Sequence, residues 1–183
     1  MSSPMPTVKG FTLLELLFVV VLCAIVATIG VPAFNTILTR ARLRRSAETI
    51  AADLQLAHHL SVTRQVPVYV SFSITNQCYS ISSEPNCSCT TPHAACLLHS
   101  PLSRHAKIVD SSQLAGVQIS EARFGPTSVT SFTPPRGTAR FGRIILTDRK
   151  RQRLQLRVSL PGRVRICNPD PAINAYLDYP PCG

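Results

Sequence analysis

Acidic residues are scarce in this sequence, and one segment lacks them almost entirely. The 183 residues include 19 Lys and Arg against 9 Asp and Glu, for a formal net charge of +10. Residues 67–135 carry three charges of each sign, whereas residues 136–167 carry ten Lys or Arg and a single acid, Asp148. This excess favours an anionic partner such as nucleic acid, acidic lipid or polysaccharide. The alternative is an arginine-rich surface that is merely solvated.

The chain also lacks the residue sets that catalysis and base stacking require. No nucleophile–base pair, metal-ligand set or phosphate-binding loop is recognisable, so we expect neither an enzyme nor a cofactor or metal site. Phe141 is the only aromatic residue in 136–167. Base stacking of the kind that single-strand-binding proteins use is therefore not expected.

Charge is missing altogether over 24 residues, from Leu16 to Thr39. About 20 apolar residues let a helix cross a bilayer, so residues 11–35 are predicted to form a transmembrane helix. The cleavage site of an ordinary secretory signal, which would follow the apolar region, is absent. The chain is therefore expected to be anchored or stored in a membrane.

Glu15 is a carboxylate inside this apolar segment. Such an acid costs about 3 kcal/mol to insert, which makes it a candidate functional residue. If the chain were cut after Gly10, the new amine of Phe11 would lie four residues before Glu15 on the same helix face. The two charges could then compensate each other within a subunit or between neighbours.

The stretch KGFTLLELL, residues 9–17, resembles the processing site of type IV prepilins and secretion pseudopilins. The resemblance implies that residues 1–10 are a leader, which prepilin peptidase removes after Gly10 before Phe11 is methylated. It also implies that Glu15 guides assembly with other major and minor pilins. A simple signal anchor with an accidental glutamate is the alternative.

The same resemblance implies one pass through the inner membrane with a periplasmic head, followed by incorporation into a pilus at the cell surface. The positive-inside rule would instead keep the head in the cytoplasm, because only Lys9 precedes the apolar run and four arginines follow it: Arg40, Arg42, Arg44 and Arg45. The cysteine content favours the periplasm.

Six of the seven cysteines lie in the polar region and form an even set, as in a disulfide framework made in an oxidising compartment: Cys78, Cys87, Cys89, Cys96, Cys167 and Cys182. We predict that Cys167 pairs with Cys182 around a Pro-rich loop. Cys78 is expected to pair with one of Cys87, Cys89 or Cys96. A zinc site with His93 is the alternative, but its spacing fits no common finger.

Apolar residues recur at helical spacing over residues 36–66, which predicts the amphipathic second half of one long helix, kinked near Gly30 and Pro32. Pro67 ends this helix, and residues 67–183 form a β-rich head. The expected fold is α+β and pilin-like, a long N-terminal helix packed on antiparallel strands. Residues 76–104 are predicted to be a disulfide-pinned loop.

The stretch 66–74 alternates and is rich in β-branched and aromatic residues, which predicts a strand. Six further short strands are expected in the head: 107–109, 116–119, 128–132, 139–147, 153–160 and 163–166.

Within the pilins, FTPPRGTARFGRIILTD (132–148) and GRVR (162–165) resemble the C-terminal half of the FimT/GspH group. Members that carry Gly-Arg-x-Arg there are linked to DNA capture in natural transformation. The resemblance implies this role for Arg163 and Arg165.

Alternation in RQRLQLRVSL, residues 151–160, sends arginines to one face and Leu154, Leu156, Val158 and Leu160 to the other. Like charges on one face are unfavourable unless an anion binds, and the planar guanidinium suits phosphate. Gly162 would let the backbone approach a ligand closely, and only Asp148 is available locally to pair with the cations.

We therefore expect a minor pilin that binds double-stranded DNA without sequence specificity. The alternative is an architectural minor pilin or type II secretion pseudopilin that binds no ligand. The predicted DNA contacts are Gly162, Arg163, Arg165, Arg149, Lys150, Arg151, Arg153, Arg157, Arg143 and Arg140.

Overall fold

The computed structural model describes residues 12–85, 87–90, 96, 98, 106–172 and 178–182, without the side chains of 29–33. The predicted processing site at Gly10 and Phe11 lies outside these residues. The chain divides into two compact units, residues 1–38 and 39–183.

One helix, α1, runs from Leu13 to Arg64. Thr12 caps its first turn, because its Oγ1 accepts a hydrogen bond from the backbone N–H of Glu15 at 3.2 Å. Thr12 and Glu15 have the spacing of a capping box, and an acid there suits the positive end of the helix dipole. At the other end Gln65 adopts φ 55°, the left-handed conformation that commonly terminates helices.

The described residues of the first unit are helical from Leu13 onward, and most of the apolar side chains described there are exposed. None of the described helices combines the length and the apolar character needed to cross a membrane. The transmembrane helix at 11–35 and the kink near Gly30 and Pro32 stay predictions.

The described residues of the second unit form nine strands after the helix: β1 (Val68–Ser73), β2 (Cys78–Ser82), β3 (Lys107–Val109), β4 (Gln118–Arg123), β5 (Val129–Thr133), β6 (Thr138–Ala139), β7 (Gly142–Thr147), β8 (Arg153–Val158) and β9 (Val164–Cys167). They form a five-stranded sheet in the order β3-β2-β1-β5-β6 and a four-stranded sheet in the order β4-β7-β8-β9. Every pairing between these strands is antiparallel.

A single hydrophobic core joins the second part of α1 to both sheets. The helix contributes a stripe at three- and four-residue spacing, which is the pattern of a helix with one buried face: Leu43, Ala47, Ile50, Leu54, Ala57 and Leu60. The α+β prediction is confirmed.

A buried carboxylate links α1 to the first sheet. Asp53 accepts hydrogen bonds from the Tyr79 hydroxyl at 2.7 Å and the Lys107 ammonium at 2.5 Å. Both oxygens are thus satisfied, as a buried charge requires. Burial, with the neighbouring Asp53 charge, raises the pKa of Tyr79 well above its ordinary value, so its hydroxyl stays protonated and donates.

Three disulfides brace the head: Cys78–Cys89, Cys87–Cys96 and Cys167–Cys182. The predicted C-terminal bond is confirmed, and Cys89 is the partner of Cys78. The pairing supports the disulfide alternative over zinc; His93 lies outside the described residues. The prediction of a loop throughout 76–104 was wrong at β2, which forms a hairpin with β1 and is buried along its whole length.

Hydrogen bonds from residues 179–182 of the C-terminal tail hold it against Asn168 and α1. Asn168 donates its N–H to the carbonyl of Pro180 at 2.8 Å and accepts from the N–H of Cys182 at 3.0 Å. The Tyr179 hydroxyl donates to Glu48 on α1 at 3.0 Å, and the Arg44 guanidinium lies 5.7 Å from the Tyr179 ring centroid. Hydrogen bonds from Arg44 and Tyr179 lower the pKa of Glu48.

Gly162 forms the turn between β8 and β9 and is buried, with φ +80°. A Cβ at this position would clash with the ring of His58 on α1 and with the carbonyl of Gly137. His58 packs edge-on against Phe132, with ring centroids 5.7 Å apart. Glycine is therefore required at 162 for both conformation and space.

We predict that Gly162→Ala lowers the free energy of unfolding by at least about 2 kcal/mol, because left-handed strain adds to a steric clash. Gly125→Ala is the matched control: φ is +64° there, but no atom lies within 4 Å of the position that the added methyl group would take. It should lose only about 1–2 kcal/mol from strain. Equal losses in denaturant titrations would show that Gly162 is not packed against α1.

Candidate nucleic-acid interface

The register of the second sheet brings four arginines into one line across its strands. Arg123 is paired with Arg143, Arg143 with Arg157, and Arg157 with Arg165. Residues directly opposite each other in antiparallel strands project from the same face, and all four are exposed. Strands lie about 4.8 Å apart, so this arginine row spans roughly 14 Å.

A bulge in β4 puts Arg123 on the correct face. Ile119 pairs with Leu146 and Glu121 with Ile145, which leaves Ser120 as an extra residue. Strict alternation would place Ile119 and Arg123 on the same side, whereas the extra residue reverses the facing. Ile119 is consequently buried while Arg123 is exposed.

The opposite face of the same strands anchors the row in the core. Leu154, Leu156 and Val158 are buried, as the alternation in 151–160 predicts. The prediction for Leu160 was wrong: β8 ends at Val158, and Leu160 is 62% exposed in the following turn. Val164 and Ile166 are partly buried against the core.

The arginine row lines one groove of about 1380 Å³. Arg163 joins it from the turn after Gly162, so five guanidinium groups share the lining. The other lining residues are Gly125, Pro126, Phe141, Gly142, Gln155, Val158, Ser159, Leu160, Pro161, Pro169 and Cys182.

Carboxylates compensate little of this charge. Glu121 pairs with Arg143, its Oε1 lying 2.9 Å from both Nε and an Nη atom of the guanidinium. Within the ranges that the structure describes, no carboxylate forms an ion pair with the other groove arginines: Arg123, Arg157, Arg163 and Arg165. Like charges side by side raise the energy of the empty groove.

A second group of predicted contacts lies at the far end of the sheet, around the β7–β8 hairpin tip: Arg149, Lys150, Arg151 and Arg153. Asp148 organises this tip, because its Oδ1 accepts from the backbone N–H groups of Lys150 and Gln152 at 2.8 Å each. Arg153 pairs with Asp170 at 2.5 Å. Arg149 lies six positions beyond Arg143, roughly 20 Å along the extended chain, and Arg153 lies four positions before Arg157 on β8, roughly 13 Å away. The hairpin tip is therefore a second group, with Arg153 between it and the row.

Two other predicted contacts are not part of the groove lining. Arg140 donates to Thr127 Oγ1 at 3.2 Å, and its backbone N–H donates to Ser131 of β5. Gly162 is buried against His58, and the close approach of its backbone to a ligand stays a prediction. Its part is to position the turn that carries Arg163.

Sequence patterns missed Arg123, because residues 67–135 sum to zero charge and the pairing of β4 with β7 is not visible in a local pattern. From the sequence, Phe141 was noted only as the sole aromatic residue of 136–167. Its position directly before Gly142 and Arg143 was the signal that could have predicted a place beside the groove arginines.

Two family models match the sequence of this chain. A family model described as type II transport protein GspH matches residues 46–173, and one described as the prokaryotic N-terminal methylation motif matches residues 5–31. The chain belongs to the GspH family. It is thus a minor pilin or pseudopilin of a type IV pilus or a type II secretion system, and the family is structural rather than enzymatic.

Solved structures of similar fold include the type IV minor pilin FimU of Pseudomonas aeruginosa PAO1, at 18% identity and a TM-score of 0.48 over 69% of this chain and 89% of that one. A second crystal form gives 17% identity and 0.46 over 68% and 91%. The minor pseudopilin EpsH from the type 2 secretion system of Vibrio cholerae gives 9% identity and 0.49 over 70% and 98%. No curated protein sequence matches the chain.

Membership of the GspH family with a methylation motif implies processing by prepilin peptidase, anchoring in the inner membrane and assembly with other pilins. The finer resemblance to FimT stays a prediction.

Arg157 stands between two arginines of the row, so its replacement should relieve repulsion. We predict that Arg157→Gln raises the free energy of unfolding by about 0.5–1 kcal/mol at low salt. The gain should shrink at high salt, where charges are screened over a few ångströms. Arg136→Gln, on the β5–β6 turn, should show no such gain. A destabilised or salt-insensitive Arg157→Gln would contradict the crowding of charge in the row.

Proposed function

We propose that this minor pilin binds extracellular double-stranded DNA without sequence specificity and supports DNA uptake in natural transformation. The observation that carries the proposal is the arginine row, extended by Arg163. Five guanidinium groups line one groove of the head, and a single carboxylate, Glu121, pairs with one of them in the described part of the chain.

The groove matches the phosphate backbone rather than the bases. A 14 Å length of duplex carries about eight phosphate charges, and each guanidinium can donate two parallel hydrogen bonds to one phosphate. Contacts of this kind position a protein on DNA without reading its sequence.

The site is also held in place before any ligand arrives. β9, which carries Arg165, ends at Cys167 in the disulfide to Cys182, and the Gly162 turn is packed against α1. The tail beyond is bonded to Glu48 through Tyr179. A rigid site loses little conformational entropy on binding, which favours affinity.

We predict micromolar binding of the full-length chain, in a neutral detergent, to short blunt duplexes of unrelated sequence. With about four phosphates neutralised, the logarithm of the binding constant should fall with a slope of about −3.6 against the logarithm of salt concentration. The affinity should therefore drop roughly 150-fold between about 50 and 200 mM salt. Fluorescence anisotropy on labelled duplexes measures both quantities.

The double variant Arg157→Gln/Arg165→Gln should weaken binding at least tenfold and reduce the salt slope by about 2. Arg149→Gln/Arg151→Gln removes the same charge from the hairpin tip and should change affinity far less. Equal losses of affinity in the two double variants would show that net charge alone causes the effect. No binding at low salt would leave an architectural minor pilin or pseudopilin.

A further inference from the structure

Two large apolar side chains at the arginine groove are exposed to solvent. Phe141 is 67% exposed and Leu160 is 62% exposed. Among the described residues from Thr39 onward they are the most exposed large hydrophobic side chains, followed by Ile74 at 42% and Leu56 at 39%. Both line the groove, and neither Ile74 nor Leu56 does.

The backbone places Phe141 and Leu160 close to the Arg143–Arg157 pair of the arginine row. Gly142, which follows Phe141, is paired with Val158, and the next residue along β7 is Arg143. A Cβ at Gly142 would clash with the carbonyl of Arg123 and with Phe124, so the chain is pressed against β4 here. The carbonyl of Leu160 accepts from the N–H of Ala139 at 2.8 Å.

This combination of groups exceeds what binding of a fully paired duplex requires. Duplex DNA presents phosphates and sugars on its outside, and its bases are stacked within. Arginines alone would satisfy that surface, and exposed Phe141 and Leu160 would add nothing. An unpaired strand presents phosphates and flat base faces together, and an aromatic ring beside arginines is the usual means of binding both.

We propose that the preferred ligand of the groove is an unpaired stretch of DNA, such as a single-stranded end of a duplex. One base stacks on Phe141 with Leu160 beside it, and the flanking phosphates contact Arg157, Arg163 and Arg165. This reverses the expectation, drawn from the scarcity of aromatic residues, that base stacking has no part. The inference rests on the proposed function, because the same arginines hold the phosphates.

The test compares three probes on the full-length chain in neutral detergent: a blunt duplex, the same duplex with a short single-stranded overhang, and one whose overhang carries abasic sites. The overhang should bind at least about fivefold more tightly than the blunt duplex, the lower end of what one stacked base contributes. The abasic overhang has the same phosphates but no bases, and it should lose this advantage.

Substitutions of Phe141 test whether its ring causes the tighter binding of the overhang. Phe141→Ala should abolish the advantage of the overhang over the blunt duplex, because the stacking is lost. Phe141→Tyr keeps an aromatic face and should retain it. Ile74→Ala, which removes an exposed apolar side chain outside the groove, should change nothing.

Two results would overturn the inference without touching the proposed function. One is that all three probes bind with equal affinity, while Arg157→Gln/Arg165→Gln still weakens the binding of each. The other is a Phe141→Ala variant that keeps the overhang advantage, or that instead loses self-association in light scattering, which would assign the apolar pair to a subunit contact. Failure to bind any probe would remove the proposed function as well.

Discussion

Cross-strand register in the second sheet is the constraint on which the rest of the site depends. The pairs Arg143–Arg157 and Arg157–Arg165 follow from the same pairing that stacks Ile144, Leu156 and Ile166 on the inner face. A shift by one residue would place the arginines in the core and expose the apolar residues to water. This register is excluded because the inner face of the sheet is buried. The hydrophobic core therefore fixes the crowding of charge on the outside, and an anion is what relieves it.

The surroundings of the sheet keep this arrangement in place. Gly162 lets the β8–β9 turn lie against His58 of α1, and the Cys167–Cys182 bond holds the end of β9. Asp53, bonded to Tyr79 and Lys107, ties the same helix to the other sheet. The part of α1 in the second unit thus supports both sheets, including the strands that carry the arginines.

Local patterns predicted much of this, because they depend on short-range rules. The alternation in 151–160, the Pro-Gly turn and the Cys167–Cys182 bond are all visible in a few neighbouring residues. Arg123 was missed because its place in the row depends on a bulge at Ser120 and on pairing with a strand about twenty residues away. Arg149 and Arg151 were grouped with the row because sequence proximity hides the length of β7 and β8. The contact of Gly162 with α1 was missed because it is a tertiary one, with a residue more than a hundred positions distant in sequence.

The central claim is that the arginines of the row act together on one polyanion. The most direct measurement is an NMR titration of the arginine Nε–Hε signals with duplex DNA, each signal assigned by single Arg-to-Lys replacement. The signals of Arg123, Arg157, Arg163 and Arg165, which have no carboxylate partner among the described residues, should shift together along one binding curve, while those of Arg136 and Arg149 barely move. Shifts confined to the hairpin tip, or spread evenly over all the arginines of the head, would contradict it.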